Sequence, residues 1–363
     1  MQILCLDIGS TTQDILLFDT TQPVENAVQL VLPSPTILAA NRIEAATARG
    51  ETIILTGDTM GGGASTAAVK RHLNSGLKVY ATEDAARSFS DDMAEVTAWG
   101  VQLVSFDEII RHENVTIFSL ADVELGLLQK ALSTWNIVLH PEIIAVAVLD
   151  HGEAPPGESA RLWRFQYLER LLRANGTLEA FMFSESEIPP HFRRMQAAIH
   201  AIKGKAPVVL MDTGAAAVLG ASLDSTVALH QNRLAVNTGN SHTIAFNLSG
   251  LRVLGFFEHH TSLLSPDRLD NLLLGLIAGN LDSEKIRAEG GHGSLIIEKG
   301  GESFITVTGP RRSLLSHSRL DPYFAAPFGS MMLTGCFGLL KAASIKLPRW
   351  RGEIEEALAR STL

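Results

Sequence analysis

Two short stretches of this chain have the residue types to grip a phosphate chain. Asp7-Ile8-Gly9-Ser10-Thr11-Thr12 follows an apolar run. A glycine in such a turn lets the backbone approach a ligand, and successive N–H groups with the hydroxyls of Ser10, Thr11 and Thr12 can cradle phosphate oxygens. Asp7, at the end of the preceding run, can hold Mg²⁺ through its water shell. An ordinary hairpin turn with a surface carboxylate has the same spelling. The second stretch, Asn237-Thr238-Gly239-Asn240-Ser241-His242-Thr243, repeats the order, since residues 4–11 align one for one with residues 234–241. Facing one another, Gly9–Thr12 and Gly239, Asn240 and Ser241 would clamp phosphates from two sides.

Other stretches offer weaker chemistry. Asp212-Thr213-Gly214-Ala215-Ala216-Ala217-Val218-Leu219-Gly220 reads as a strand end entering a small-residue helix, and residues 329–335 invite the same reading. Smooth helices of this kind suit a hinge between domains and equally a plain core. The glycines at 57, 61, 62 and 63 fit neither phosphate loop of known spacing. Gly63 is followed by Ala64-Ser65 instead of Lys-Ser/Thr, and Thr66 stands where a dinucleotide fingerprint needs its third glycine. That leaves an anion or small-substrate turn at a helix start, or a simple glycine-rich loop. In Glu258-His259-His260 the adjacent histidines of a strand point to opposite faces, and no third ligand stands at helical spacing, so they read as partly exposed histidines. Asp150-His151-Gly152-Glu153 ends a continuous apolar strand, where open α/β sheets place ligands.

The elements that must position these residues alternate between strand and helix. Residues 2–6 and 14–18 form a hairpin, 27–32 a third strand, and 52–55, 77–80, 101–104, 116–118 and 143–149 further strands, with helices at 64–73, 83–89, 160–174 and 191–202. Beyond the helix-breaking Lys203-Gly204-Lys205-Ala206-Pro207, residues 208–211 are a strand, 234–236 and 243–247 a second hairpin, 305–308 a strand and 329–343 a helix. The pattern predicts an α/β class. The two hairpins imply duplicated domains over residues 1–205 and 206–345, with residues 346–363 packing back on the first.

Composition narrows the partners. The 363 residues carry 30 basic and 39 acidic side chains, a net charge of −9. That balance lacks the basic surplus a nucleic-acid binder uses to displace counterions. Two cysteines, Cys5 and Cys336, cannot make a disulfide framework or a cysteine-ligated cluster alone, and they suit a reducing cytoplasm. No apolar run approaches the roughly eighteen residues of a membrane span. The first residues lack the basic start of a secretory signal.

The ordered set of stretches resembles the actin-like ATPase superfold of sugar kinases, Hsp70 chaperones and dehydratase activators. Asp7–Thr12 resembles its first phosphate motif, Asp212–Gly220 its first connecting helix, Asn237–Thr243 its second phosphate motif and Gly329–Gly335 its second connecting helix. Gly309, after the strand at 305–308, lies where the superfold binds adenosine. The resemblance implies two ribonuclease H-like domains around a nucleotide cleft, with ATP and Mg²⁺ as cofactors and a small molecule or an unidentified protein as partner. It implies Asp212 as the base and Asp7 with Asn237 at the metal. Asn237 stands where active members carry an aspartate, so the metal shell loses one charge. Slow or absent hydrolysis follows as an expectation, and a non-catalytic binding module is the alternative. Within the superfold, residues 6–19 are most similar to a prokaryotic family sometimes labelled pyruvate formate-lyase activating enzyme-like. Radical activation of that kind needs three closely spaced cysteines, and Cys5 and Cys336 stand 331 positions apart.

Overall fold

The computed structural model describes residues 1–109, 115–155 and 157–361. Strand Gln2–Ile8 is buried along nearly its whole length because the sheet it centres is covered on both faces. Ile3 and Cys5 enter one apolar cluster with Leu16 and Phe18. Leu4, Leu6 and Ile8 enter another with Ile15 and Leu17. The two-residue period of a strand thus sends alternate side chains into two cores.

The duplication is visible in the strand order. In the first sheet Gln2–Ile8 pairs antiparallel with Thr12–Asp19, which pairs antiparallel with Val28–Pro33. On its other side Gln2–Ile8 runs parallel to Ile143–Val148, which runs parallel to Val208–Met211. The second sheet repeats this: Asn232–Thr238 pairs antiparallel with His242–Ser249, that strand antiparallel with Arg252–His260, and Asn232–Thr238 parallel with Phe304–Thr308 and then Tyr323–Phe324. An additional strand edges each sheet, Met182–Ser184 in the first and Gly293–Ile296 in the second. Two antiparallel pairs followed by two parallel ones, twice over, make a pair of ribonuclease H-like domains of the actin-like ATPase type. Gln2–Ile8 and Asn232–Thr238 hold the same place in separate sheets.

Two helices join the lobes. Thr213–Ala221 packs on strands of the second sheet and Thr334–Lys346 on strands of the first. They cross with backbone against backbone. A Cβ added to Gly220 would lie 1.8 Å from the Thr334 carbonyl oxygen, and one added to Gly338 would lie 1.9 Å from that of Ala216. The helix Arg351–Arg360 returns to the first lobe, where Glu353 meets the Met1 ammonium at 3.0 Å.

The structure corrects the sequence reading of the fold in three places. The boundary expected after residue 205 fails, because Val208–Met211 completes the first sheet instead of opening the second domain. Its four apolar side chains are buried there beside Ile143–Val148, a pairing that local turn composition does not reveal. The helix expected at 329–343 starts at Thr334, since Phe328 and Gly329 adopt φ of +50° and +76°, which no right-handed helix tolerates. An unforeseen third unit lies between the third and fourth strands of the first sheet. There Thr52–Gly57, Val79–Ala81, Gln102–Leu103 and Val115–Leu120 form a parallel sheet with its own core. Among the described residues no helix is long and apolar enough to cross a membrane.

Candidate functional site

The two glycine turns stand between two cavities. Gly9 closes its turn by donating to the Thr12 carbonyl at 2.9 Å, and Gly239 does the same to His242. A Cβ at either glycine would crowd the carbonyl it serves, at 3.2 and 2.7 Å. The turns touch each other, since the Ser241 hydroxyl donates to Ser10 Oγ at 2.7 Å.

The smaller cavity, about 80 Å³, is lined by Asp7, Gly9, Ser10, Thr12, Asp14, Asn237, Gly239, Asn240 and Gly309, with Pro310, Met331 and Met332 among its apolar members. Asp7 accepts from the Thr213 hydroxyl at 2.5 Å, and burial pushes its carboxyl up to about 7. Asp14 stands opposite it on the neighbouring strand. Burial and then the charge of Asp7 raise Asp14 to about 8, and its Oδ1 has no hydrogen-bond partner among the described residues. Gly309, at φ +99°, lets the chain pass the Thr238 carbonyl and the Asn237 side chain, where a Cβ would lie within 2.6 Å of both.

The larger cavity, about 450 Å³, also reaches Gly9, Ser10, Asn237, Gly239, Asn240 and Ser241. It extends past Asp212, Glu258, His242 and residues 149–153 to the glycines at 61–63 of the inserted unit. Thr11 lines neither cavity and is exposed.

Asp212 caps helix Thr213–Ala221, its Oδ1 accepting from the Gly214 and Ala215 amides at 3.0 and 3.2 Å. Its Oδ2 accepts from Arg164 at 2.5 Å, and the same guanidinium binds Glu258. Arg164 comes from helix Ala160–Asn175 and is almost wholly enclosed. Burial raises the Asp212 carboxyl, with Arg164 opposing. Burial would raise Glu258 too, but the Arg164 guanidinium holds it below its ordinary value.

The sequence reading of Glu258-His259-His260 holds for half-buried His260 and fails for His259, which is buried with Glu258 while strand alternation turns those two to opposite faces. On the Glu258 face stand His242, paired across the sheet with His260, and His292, just before the edge strand residue that pairs with Glu258. His151 reaches the same spot from the loop after Ile143–Val148. Asp150 shapes that loop, accepting from the Gly152 and Met195 amides at 2.8 and 2.9 Å. One imidazole each from residues 151, 242 and 292 converges with Glu258, so helical spacing could not have found the set. Three members lie in stretches the sequence singles out, 150–153, 237–243 and 258–260; only His292, within Gly291-His292-Gly293, does not.

Comparisons with known proteins add the following. Among solved structures, a ROK hexokinase from Thermus thermophilus is 13% identical, with a TM-score of 0.33 over 96% of this chain and 100% of that one. The activator of the 2-hydroxyisocaproyl-CoA dehydratase from Clostridium difficile with bound ADPNP is 10% identical, with a TM-score of 0.26 over 98% of this chain and 96% of that one. Likenesses of this size carry no argument beyond the strand order described above. No curated protein matches the sequence. Residues 60–314 match one family model, and the chain belongs to the family described as "Putative pyruvate format-lyase activating enzyme (DUF1786)".

Proposed function

We propose that this protein binds a nucleoside triphosphate with Mg²⁺ in the smaller cavity and transfers its terminal phosphoryl group to a small molecule in the larger one. One observation carries the reading: Gly9, Ser10, Gly239 and Asn240 line both cavities, so a phosphate held by these turns faces a second chamber. The donors suit the group. Buried Asp7 and Asp14 call for a cation, the turns offer amides and hydroxyls, and Pro310, Met331 and Met332 give a nucleobase apolar contacts. The space is too small for a whole nucleotide, so the contact between Ser10 and Ser241 must part on binding.

Bound Mg²⁺ would neutralise charge on the phosphates, as phosphoryl transfer requires. Asp7 would hold its water shell, with Asn237 contributing an amide oxygen. Thr213 orients Asp7 through its 2.5 Å hydrogen bond. Asp212, lining the acceptor chamber, would take the proton from an attacking hydroxyl, its position held by Arg164 and the two helix amides. Radical activation does not fit this site, because the chain's two cysteines cannot supply the three ligands of such a cluster, and the buried Cys336 thiol donates to the Asp14 carbonyl at 3.2 Å.

Asn237 favours a second reading, a module that binds nucleotide without turnover. Thermal shift with ATP, ADP, GTP and AMP, each with and without Mg²⁺, tests binding. A ligand at a hundred times its dissociation constant adds about 2.7 kcal/mol. Stabilisation by triphosphate and Mg²⁺ together supports both readings, and release of diphosphate on adding candidate acceptors selects the first. No stabilisation by any nucleotide sinks both.

A further inference from the structure

We infer that His151, His242, Glu258 and His292 form a binding site for a first-row transition-metal dication at the wall of the larger cavity. The site is separate from the small cavity, and the inference does not rest on nucleotide binding.

The four side chains each offer one ligand atom, and these atoms lie within 4.8 Å of one another. Ligand atoms around a four-coordinate ion stand about 3.4 Å apart at ordinary metal–nitrogen lengths, so side-chain rotation would have to draw the widest pair in by about 1.4 Å. The polar atoms are unused otherwise. His151 Nε2, His242 Nε2, Glu258 Oε1 and both ring nitrogens of His292 are buried without a hydrogen-bond partner among the described residues. Orphaned groups of this kind are costly, and five at one spot is not how a satisfied core is built. His292 Nδ1 approaches Glu258 Oε1 at 3.3 Å but without hydrogen-bond geometry.

The donor chemistry selects the ion. Three imidazoles with one carboxylate suit zinc, iron or cobalt and not the all-oxygen shells of magnesium or calcium. Arg164 holds the other oxygen of Glu258, as an outer partner fixes a ligating carboxylate. His151, His242 and Glu258 line the larger cavity, whereas His292 lies behind them. A coordination position facing that chamber would take water or an oxygen of the molecule held there. His151 comes from the first lobe and the other three from the second, so the ion would tie the lobes together.

The test is titration of the chelator-stripped full chain with Co²⁺ and Zn²⁺, without nucleotide, read by visible ligand-field absorption and by calorimetry. One equivalent per chain is expected, with no competition from millimolar Mg²⁺. His151→Asn and His242→Asn should each weaken binding on the order of a hundredfold, at least what loss of an outer partner costs. These two half-buried positions carry the test should His292→Ala fail to fold. Asp7→Asn should leave the titration unchanged. Absence of tight binding, unaltered affinity in both histidine variants, or loss of binding only in Asp7→Asn overturns the inference. Asp7→Asn addresses the small cavity alone, so this site can fail while the nucleotide reading stands, and the reverse.

Discussion

Ser10 and Ser241 meet hydroxyl to hydroxyl at 2.7 Å, and through them the two lobes touch where their glycine turns face each other. Each serine belongs to one copy of the duplicated hairpin, so the contact is close to a self-pairing of the repeat. A phosphate entering between the turns would replace this bond with two of its own. Ser10→Ala and Ser241→Ala should each weaken triphosphate binding by roughly threefold to tenfold, about 0.5–1.5 kcal/mol for one hydrogen bond. Calorimetry on folded variants checks this. Unchanged affinity in the double variant would make the pair a latch with no role in binding.

Asp7 and Asp14 set a pH dependence with a definite sign. Their folded values, about 7 and about 8, lie above those of an unfolded chain near 4. The folded state therefore binds more protons. The stability these groups contribute is complete below about pH 4 and is lost as pH rises through 7 to 8. Without Mg²⁺, the melting temperature should fall between about pH 5 and pH 9, and Asp14→Asn should flatten the fall. Added Mg²⁺ with nucleotide should oppose it at the alkaline end. A melting temperature that rises over this range in the metal-free protein contradicts the assignment.

Asp212→Asn keeps the shape of the helix cap but cannot readily take a proton. Nucleotide binding should survive, and phosphoryl transfer should fall by at least about a hundredfold, the scale of general-base catalysis. Single-turnover transfer is the measurement. Equal rates would leave Asp212 as a partner of Arg164 and a helix cap only.

Asn237→Asp restores a carboxylate beside Asp7. Basal nucleotide hydrolysis should be slow in the natural chain and faster in this variant, with tighter Mg²⁺. Steady-state phosphate release at varied Mg²⁺ decides the matter. Fast release by the natural chain, with no gain in the variant, would show that the amide is no handicap.

Legibility followed the range of the interactions. The hairpins around Gly9 and Gly239 are local, and their apolar alternation with a glycine turn could be read directly. Val208–Met211 was misassigned because Lys203–Pro207 looks like a linker, while the strand's partner, Ile143–Val148, lies some sixty residues earlier. The strands of the inserted sheet were legible at 52–55, 77–80, 101–104 and 116–118, but not that they pair with one another, because parallel pairing joins segments far apart in sequence. The histidine cluster was the least readable. Its members come from four segments and two lobes, and only the cross-strand register makes His242, Glu258 and His260 neighbours.

The crossing at Gly220 and Gly338 has a thermodynamic consequence. Helices in backbone contact cannot slide apart without losing that contact, which leaves rotation about the crossing as the less costly motion. Both cavities are lined by residues of both lobes, so such a rotation would change the two together. If occupants of both chambers favour the closed angle, each must favour the other. On the proposed reading, the factor by which an acceptor tightens nucleotide would then equal the factor by which nucleotide tightens the acceptor.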